Sequence, residues 1–214
     1  MKMKLLTLTA LCGAAFAATP AWAQYNLHAG QFYVHADAGV AKPQDLLLRN
    51  TGETVSIDAG SQVDVSAGFN ALDFMAVELQ TGATWNRLHT DGVTLGSISG
   101  NRTEMTQVPM MANVIFKVPL ADRVTPYIGG GAGGVATSID IRRNHHWTGD
   151  SDVTFAYQGM AGVEVAITEH ISVGVGYRLL GTTDHTWFAD DPAMYMPTGK
   201  TITHAGVANF TWTF

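Results

Sequence analysis

The chain has 214 residues, with 12 lysines and arginines, 18 aspartates and glutamates, and a formal net charge of −6 at pH 7. This acidic composition lacks the basic footprint of a nucleic-acid-binding protein, so we expect no nucleic-acid partner. The only cysteine is Cys12, which excludes a disulfide framework. No stretch of the sequence reaches the run of about 18 apolar residues that a membrane-spanning helix needs.

The N-terminus has the pattern of a secretory signal peptide. Lys2 and Lys4 precede an apolar run, and the tripeptide AWA at residues 21–23 is a small-x-small cleavage site. We therefore expect residues 1–23 to be a cleavable signal peptide and Gln24 to begin the mature chain.

The remainder, residues 24–214, is predicted to be one domain. Segments with alternating apolar and polar residues recur along it, and a period of two is the signature of a β-strand. Eight such segments lie near residues 32–40, 63–70, 75–85, 107–116, 125–137, 155–165, 171–178 and 201–214. A chain of this length accommodates about eight strands of about 10 residues with polar connections. The predicted fold is all-β, an eight-stranded antiparallel transmembrane β-barrel in the outer membrane.

Two of the eight segments are irregular. Pro109 cannot donate to a strand ladder, so we expect the fourth strand to be shortened or bulged there. Residues 125–137 contain so many glycines that the pattern does not determine which of their side chains face inward.

The connections between segments alternate in length. Long, polar connections are predicted near residues 41–60, 87–105, 139–152 and 180–200, and short turns near residues 70–74, 119–123 and 166–170. In a membrane barrel the long loops face outside and the short turns face the periplasm. This alternation predicts four extracellular loops and places both chain ends on the periplasmic side.

Aromatic residues are predicted to form two girdles. One group falls near the periplasmic interface and the other near the outer interface: Phe69, Phe116, Tyr127, Phe210 and Trp212 in the first, Trp85, Phe155 and Tyr177 in the second. A soluble barrel of the lipocalin type also alternates, but it buries its apolar face inward and need not sort its aromatics into belts. The girdles favour the membrane barrel.

The last segment carries a resemblance of its own. Residues 201–214 alternate and end with aromatics at Phe210, Trp212 and Phe214. This tail resembles the terminal strand of bacterial outer-membrane barrels. The resemblance implies that these three residues form the signal recognised by the barrel-assembly machinery during biogenesis.

Three internal stretches point to a family. Residues 108–114 (VPMMANV), 125–133 (TPYIGGGAG) and 157–164 (YQGMAGVE), with Gly176-Tyr177-Arg178, resemble the outer-membrane β-barrel domain family that includes opacity-type surface antigens. The resemblance covers residues 108–214 well and the first half by pattern. It implies a barrel related in architecture to the transmembrane domain of OmpA, acting as a surface protein and often without an enzymatic role. The implied partners are outer-membrane lipids, lipopolysaccharide and a host or cell-surface ligand.

Polar residues in the inward phase define a candidate site. Charges inside a narrow barrel must be paired or hydrated, because isolated burial of a charge is prohibitive. We predict that Arg178 bridges Glu78 or Glu164 and that this network fills the lumen as a structural plug. A cation site or a proton path is the functional alternative, because water, a cation or protonated carboxyls must offset the excess of acids. The predicted lumen network comprises Asp37, Asp64, Glu78, Gln80, Glu164 and Arg178.

Three functions remain open at this stage. The first is a structural and surface-interaction protein whose loops contact other molecules. The second is a narrow conduit for small or hydrophobic solutes, of the OmpW type. The third is a lipid-modifying enzyme. We expect no enzymatic activity and no cofactor.

The residues that an enzyme or a metal site would use lie mostly in predicted loops. Asp184 and His185, with Ser172 or Ser151, contain the residue types of an acyl-transfer triad, which is recognised by geometry rather than spacing. The His-x-Ser-Asn motif that we associate with lipid A deacylases is absent. Imidazole is a common metal ligand, but no cysteine or fixed spacing supports a metal centre, so none is expected. The histidines in question are His89, His145, His146 and His185.

Overall fold

The computed structural model describes residues 28–47, 54–89, 103–120, 123–143, 146–187 and 196–214. These residues form twelve β-strands: β1 (Phe32–Pro43), β2 (Leu46–Leu47), β3 (Thr54–Ile57), β4 (Gly60–Leu72), β5 (Met75–His89), β6 (Thr103–Lys117), β7 (Val124–Arg143), β8 (His146–Ala166), β9 (Ile171–Thr182), β10 (His185–Trp187), β11 (Met196–Thr198) and β12 (Thr201–Thr213). Within the described ranges, no helix is long and apolar enough to cross a bilayer. The predicted signal peptide, residues 1–23, lies outside the described residues.

Eight of the strands close into a barrel. The long strands β1, β4 to β9 and β12 each pair antiparallel with two barrel neighbours. β1 joins the two ends of the chain, because it pairs with β4 on one side and with β12 on the other. β5 and β6 complete the circle. The predicted eight-stranded antiparallel barrel is confirmed.

The register around the barrel fixes the tilt of its strands. Cross-strand partners can be followed around the barrel in both directions from Gln62 on β4. Through β5, β6 and β7 they lead to Asp152 on β8. Through β1, β12 and β9 they lead to Gly162 on the same strand. The two end points are ten residues apart, which is the stagger of one full circuit. Such a stagger tilts the strands, and a barrel of eight strands has an interior just wide enough for side chains.

Alternation along the strands sorts side chains by environment. On β4, Asp64 is only 2% exposed, whereas its neighbours Val63 and Val65 are 49% and 48% exposed. Polar side chains therefore face the lumen and apolar side chains face outward, which is the reverse of a soluble barrel. An apolar outer surface requires lipid around it.

The third predicted long loop is wrong. Residues 139–152 were expected to form a connection, but β7 extends to Arg143 and β8 begins at His146. Only residues 144–145 separate these two strands. A strand that rises above the bilayer no longer needs an apolar outer face, so its residues lose the alternation that identifies a membrane strand.

Pro109 neither bulges nor shortens its strand. β6 runs without a break from Thr103 to Lys117, and Pro109 is paired with Val135 of β7. Towards β5 the paired residues skip Pro109, but the register before and after it is unchanged. The missing N–H removes a ladder bond locally, and the pairing to β7 keeps the strand in place.

One predicted girdle residue faces the other way. Phe116, Phe210 and Trp212 are exposed on the outer surface near the periplasmic strand ends. Tyr127, in contrast, faces the lumen, where its hydroxyl accepts a hydrogen bond from Asn209 Nδ2 at 3.2 Å. The glycine-rich segment around Tyr127 carries no alternation from which its phase could be predicted.

Candidate functional site in the barrel lumen

Arg178 is the centre of the lumen network. Its Nη2 donates to Asp37 Oδ2 at 2.5 Å and its Nη1 donates to Asp64 Oδ2 at 2.7 Å. All three side chains are buried. The predicted partners, Glu78 and Glu164, are therefore not the ones that the guanidinium group bridges.

The choice of partners follows from the register. Asp37 on β1 lies directly opposite Asp64 on β4, and both side chains face the lumen. Two carboxylates in such a position repel each other unless a cation lies between them. The planar fork of an arginine offers one donor to each carboxylate, which a lysine cannot do with the same geometry.

A glycine makes room for this arrangement. Gln62 Nε2 donates to Asp64 Oδ2 at 2.5 Å, so that oxygen accepts from two side chains. The other oxygen, Asp64 Oδ1, points at Gly82 on the neighbouring strand. A Cβ atom at Gly82 would lie 2.2 Å from that oxygen, so only glycine fits.

His35 extends the network towards the periplasmic end. Its Nε2 lies 3.1 Å from Asp37 Oδ1, and its Nδ1 lies 2.7 Å from Thr211 Oγ1. Thr211 donates its only hydroxyl hydrogen to Glu164 Oε1 at 3.0 Å, so it must accept from His35. Asp37 is ion-paired with Arg178 and is also an acceptor. In this hydrogen-bond pattern both ring nitrogens of His35 act as donors, which is the pattern of an imidazolium.

A second cation was missed by sequence reasoning. Lys117 is 4% exposed, and its Nζ lies 3.9 Å from Glu164 Oε2 and 4.4 Å from the centre of the Tyr33 ring. Lys117 continues the inward phase of Gln107 and Asn113 on β6. The predicted strand ended one residue earlier, so its last inward position was not considered.

Uncharged side chains surround Glu78 and Gln80 on the remaining wall of the network. Glu78 accepts from the Tyr33 hydroxyl at 3.2 Å and from Asn113 Nδ2 at 3.4 Å. Gln80 Oε1 accepts from Asn113 at 3.0 Å and from Gln158 at 2.7 Å. Gln158 also donates to Asn113 Oδ1 at 2.6 Å. Such shared donors and acceptors polarise one another in a low-dielectric interior.

The charges of the network nearly balance. The sequence predicts four acids facing one arginine, whereas the structure adds Lys117 and, in its imidazolium form, His35. With His35 in that form, three cations against four carboxylates leave one negative charge, which is far cheaper to bury than three. The four carboxylates are Asp37, Asp64, Glu78 and Glu164.

Little space is left inside the lumen at this depth. The cavity enclosed between Tyr33, Lys117 and Arg178 has a volume of about 10 Å³. A cavity needs about 10 to 15 Å³ to hold a single water molecule. Next to Arg178, an apolar cluster made by Met111, Val135, Ala156 and Leu180 packs on the wall formed by β6 to β9.

The predicted assembly signal lies on the outer surface. Phe210, Trp212 and Phe214 are 41%, 50% and 68% exposed, and the rings of Trp212 and Phe214 stack with centroids 6.4 Å apart. With Val34 and Ala36 of β1 they line an apolar groove of about 290 Å³. The groove crosses the seam at which the first and last strands of the barrel meet.

Two residues of the predicted acyl-transfer triad, Ser172 and Asp184, are not brought together. Ser172 is buried in the lumen near the periplasmic start of β9, whereas Asp184 follows the extracellular end of the same strand. A strand rises about 3.3 Å per residue, so these two side chains cannot join one triad. The described residues contain no group of three or more His, Cys, Asp or Glu that could hold a metal ion. His145 and the side chains of His89, His146 and His185 lie outside the described part.

Comparison with known proteins identifies the same architecture. Residues 8–214 match the family described as outer membrane protein beta-barrel domain. No curated protein sequence matches the chain significantly.

Solved structures of outer-membrane proteins share the fold. Neisserial surface protein A has a TM-score of 0.59 at 16% identity, with 86% of this chain and 97% of that protein covered. OprG from Pseudomonas aeruginosa has a TM-score of 0.59 at 15% identity, with 87% and 97% covered. Ail, the attachment invasion locus protein of Yersinia pestis, solved with the heparin analogue sucrose octasulfate, has a TM-score of 0.53 at 10% identity, with 87% and 99% covered. At such identities the likeness shows the fold alone.

Proposed function

Because the chain belongs to the outer membrane protein beta-barrel domain family, we propose that it is a non-catalytic surface protein of the outer membrane. Its barrel anchors extracellular segments among the lipids and lipopolysaccharide of that membrane, and those segments bind a host or cell-surface partner. The predicted extracellular connections are the variable and accessible part of such a fold. Binding residues are found disproportionately on connections of this kind.

One observation carries this proposal: buried side chains pack against one another inside the lumen. The network around Arg178 joins β1, β4 and β9, and the apolar cluster at Met111 and Leu180 packs on the wall formed by β6 to β9. A conduit for solutes needs a continuous opening, and the cavity between Tyr33, Lys117 and Arg178 has a volume of only about 10 Å³, close to that of a single water site. The barrel is therefore an anchor, and the OmpW-type conduit becomes an outcome of the test below.

The extracellular side supports the surface role. β7 and β8 are 20 and 21 residues long, whereas β9 and β1 have 12 residues each. β8 pairs with β9 only from Ala156 onward, so its first ten residues and the facing part of β7 rise above that neighbour. A hairpin of this length presents a firm surface outside the membrane.

Conductance across a planar bilayer tests the closed lumen. The purified barrel should insert without opening a steady ion current, because the charged and apolar layers leave no path. A matched preparation of a known open porin serves as the positive control. Stable single-channel steps from the native chain would contradict the anchor and favour the conduit.

In this proposal, the N-terminal signal peptide directs export of the chain. A signal peptidase removes residues 1–23, so the mature chain begins at Gln24. Intact mass spectrometry of the protein from outer membranes tests this directly. A mass that still includes residues 1–23 would refute the predicted cleavage.

A further inference from the structure

Lumen-facing residues change in the same order along β7 and β9, the two strands that flank β8. On β9, Arg178 is followed at the next inward positions by Leu180 and Thr182. On β7, the apolar Val135 is likewise followed by Thr137. On these two strands, an apolar position is therefore followed towards the extracellular end by an outer layer that is polar but uncharged.

We name this outermost layer the upper polar layer. The layer consists of five side chains that face the lumen, each at most 9% exposed. Each lies on a different strand: Thr84 on β5, Gln107 on β6, Thr137 on β7, Thr154 on β8 and Thr201 on β12. Thr84 is paired with Gln107, and Gln107 is paired with Thr137, so three of them form a continuous row.

Most of these side chains lack a hydrogen-bond partner in the protein. Gln107 Oε1 and the hydroxyls of Thr137, Thr154 and Thr201 are buried without one. Leaving a buried polar group without a partner is costly, so four such groups near the extracellular end of the lumen indicate that small polar molecules complete their hydrogen bonds. The charged network below also contains buried atoms without a partner, Asp64 Oδ1 and Arg178 Nε, but each of its charged groups has at least one partner within the network.

The chemistry of the layer defines what it accepts. Hydroxyl groups both donate and accept, and an amide oxygen accepts, so the matching groups are hydroxyls and amides. No member of the layer carries a charge that would hold an ion. The floor is apolar, formed by Met111, Val135, Ala156 and Leu180.

We propose that the extracellular half of the lumen is a blind, hydrated pocket that admits small uncharged polar molecules from outside. They reach the upper polar layer and stop at the apolar floor. This inference rests on the proposed function, because the closed lower lumen is what makes the pocket blind.

Single cysteines report access at chosen depths, because Cys12 is the only native cysteine. On a Cys12→Ser background, Thr154→Cys lies in the upper polar layer and Ser66→Cys lies below the floor. Both native side chains are buried and face the lumen. Lys200→Cys, at an exposed position, sets the rate of unhindered labelling.

The probe is N-ethylmaleimide, a small uncharged reagent, applied to the folded protein in nanodiscs. Thr154→Cys should react within about tenfold of Lys200→Cys, and Ser66→Cys at least about 100-fold more slowly, because it reacts only after local opening. Heat denaturation in detergent should make Ser66→Cys fully reactive, and a heat-dependent gel shift confirms that each variant is folded.

Two results would overturn the proposal, and they differ in meaning. If Thr154→Cys is as protected as Ser66→Cys, the upper lumen is dry and the pocket does not exist, while the closed barrel stands. If Ser66→Cys reacts as fast as Thr154→Cys in the folded protein, the lumen is continuous, and the proposed closed barrel fails together with the pocket.

Discussion

Arg178 and Asp37 lie 141 residues apart in the sequence, yet Arg178 Nη2 donates to Asp37 Oδ2 at 2.5 Å in the lumen. The contact links β9 to β1 across β12, next to the seam that closes the barrel. A cross-barrel ion pair of this kind ties the first strand of the fold to its C-terminal half. Its strength therefore bears on whether the barrel stays closed.

Replacing Arg178 should destabilise the barrel strongly. Arg178→Ala leaves the paired carboxylates Asp37 and Asp64 buried without their cation, a loss of roughly 3 to 5 kcal/mol when the site is dry. Arg178→Lys keeps the charge but loses the two-pronged geometry, so its loss should be smaller. Urea unfolding in lipid vesicles, followed by tryptophan fluorescence, measures both. An Arg178→Ala midpoint that hardly moves, together with a new ion current, would reject the structural plug.

His35 should carry hydrogen on both ring nitrogens at neutral pH. This follows from its contacts with Asp37, whose carboxylate accepts, and with Thr211, whose hydroxyl donates to Glu164 and so accepts from His35. Nitrogen NMR of histidine-labelled protein in nanodiscs distinguishes an imidazolium from a neutral ring. His35→Asn identifies the signal. A spectrum with one unprotonated nitrogen at His35 would contradict the charge balance described for the lumen.

Gly82 should not tolerate even a methyl group. Its Cβ would meet Asp64 Oδ1 at 2.2 Å and the carbonyl oxygen of Val63 at 2.4 Å. Overpacking of this kind costs about 1 to 3 kcal/mol, so Gly82→Ala should lower the unfolding midpoint. Gly159→Ala is the control, because nothing lies within 4 Å of a Cβ there. Equal stability of the two variants would show that the Asp64 carboxylate is not fixed against β5.

Deletion of Phe214 should impair insertion and leave export intact. Phe214 is 68% exposed on the outer surface, where it stacks on Trp212 and belongs to the tail that resembles the assembly signal. Immunoblots of outer-membrane and periplasmic fractions measure the distribution. Phe32→Ala, which also removes an exposed ring near the periplasmic end, controls for lost lipid contact. Unchanged outer-membrane levels of the deletion would refute the role of Phe214.

The sequence determines more of the fold than of the network. Alternation places Asp64, Glu78 and Arg178 inward, because the two faces of a strand meet such different surroundings. It does not give the stagger between strands that are distant in sequence, so the partners of Arg178 were assigned wrongly. Whether two inward residues meet depends on that stagger.

Local composition explains the other differences between the features predicted from the sequence and those in the structure. Glycines around Tyr127 carry no polarity signal, so its inward position was not predictable. Lys117 is the last residue of β6, where a boundary error of one residue hides a buried cation. The paired part of β7 and β8 outside the bilayer lacks alternation for a physical reason, since water surrounds both of its faces.

The most direct test of the closed, interlocked lumen is a double-mutant cycle between Arg178 and Asp37. Unfolding free energies in lipid vesicles are measured for the native chain, Arg178→Met, Asp37→Asn and the double variant. A direct, buried ion pair predicts that the double variant is less destabilised than the sum of the single variants, by about 0.5 to 3 kcal/mol. Strict additivity of the two losses would contradict the pairing and, with it, the account of the lumen as a closed network.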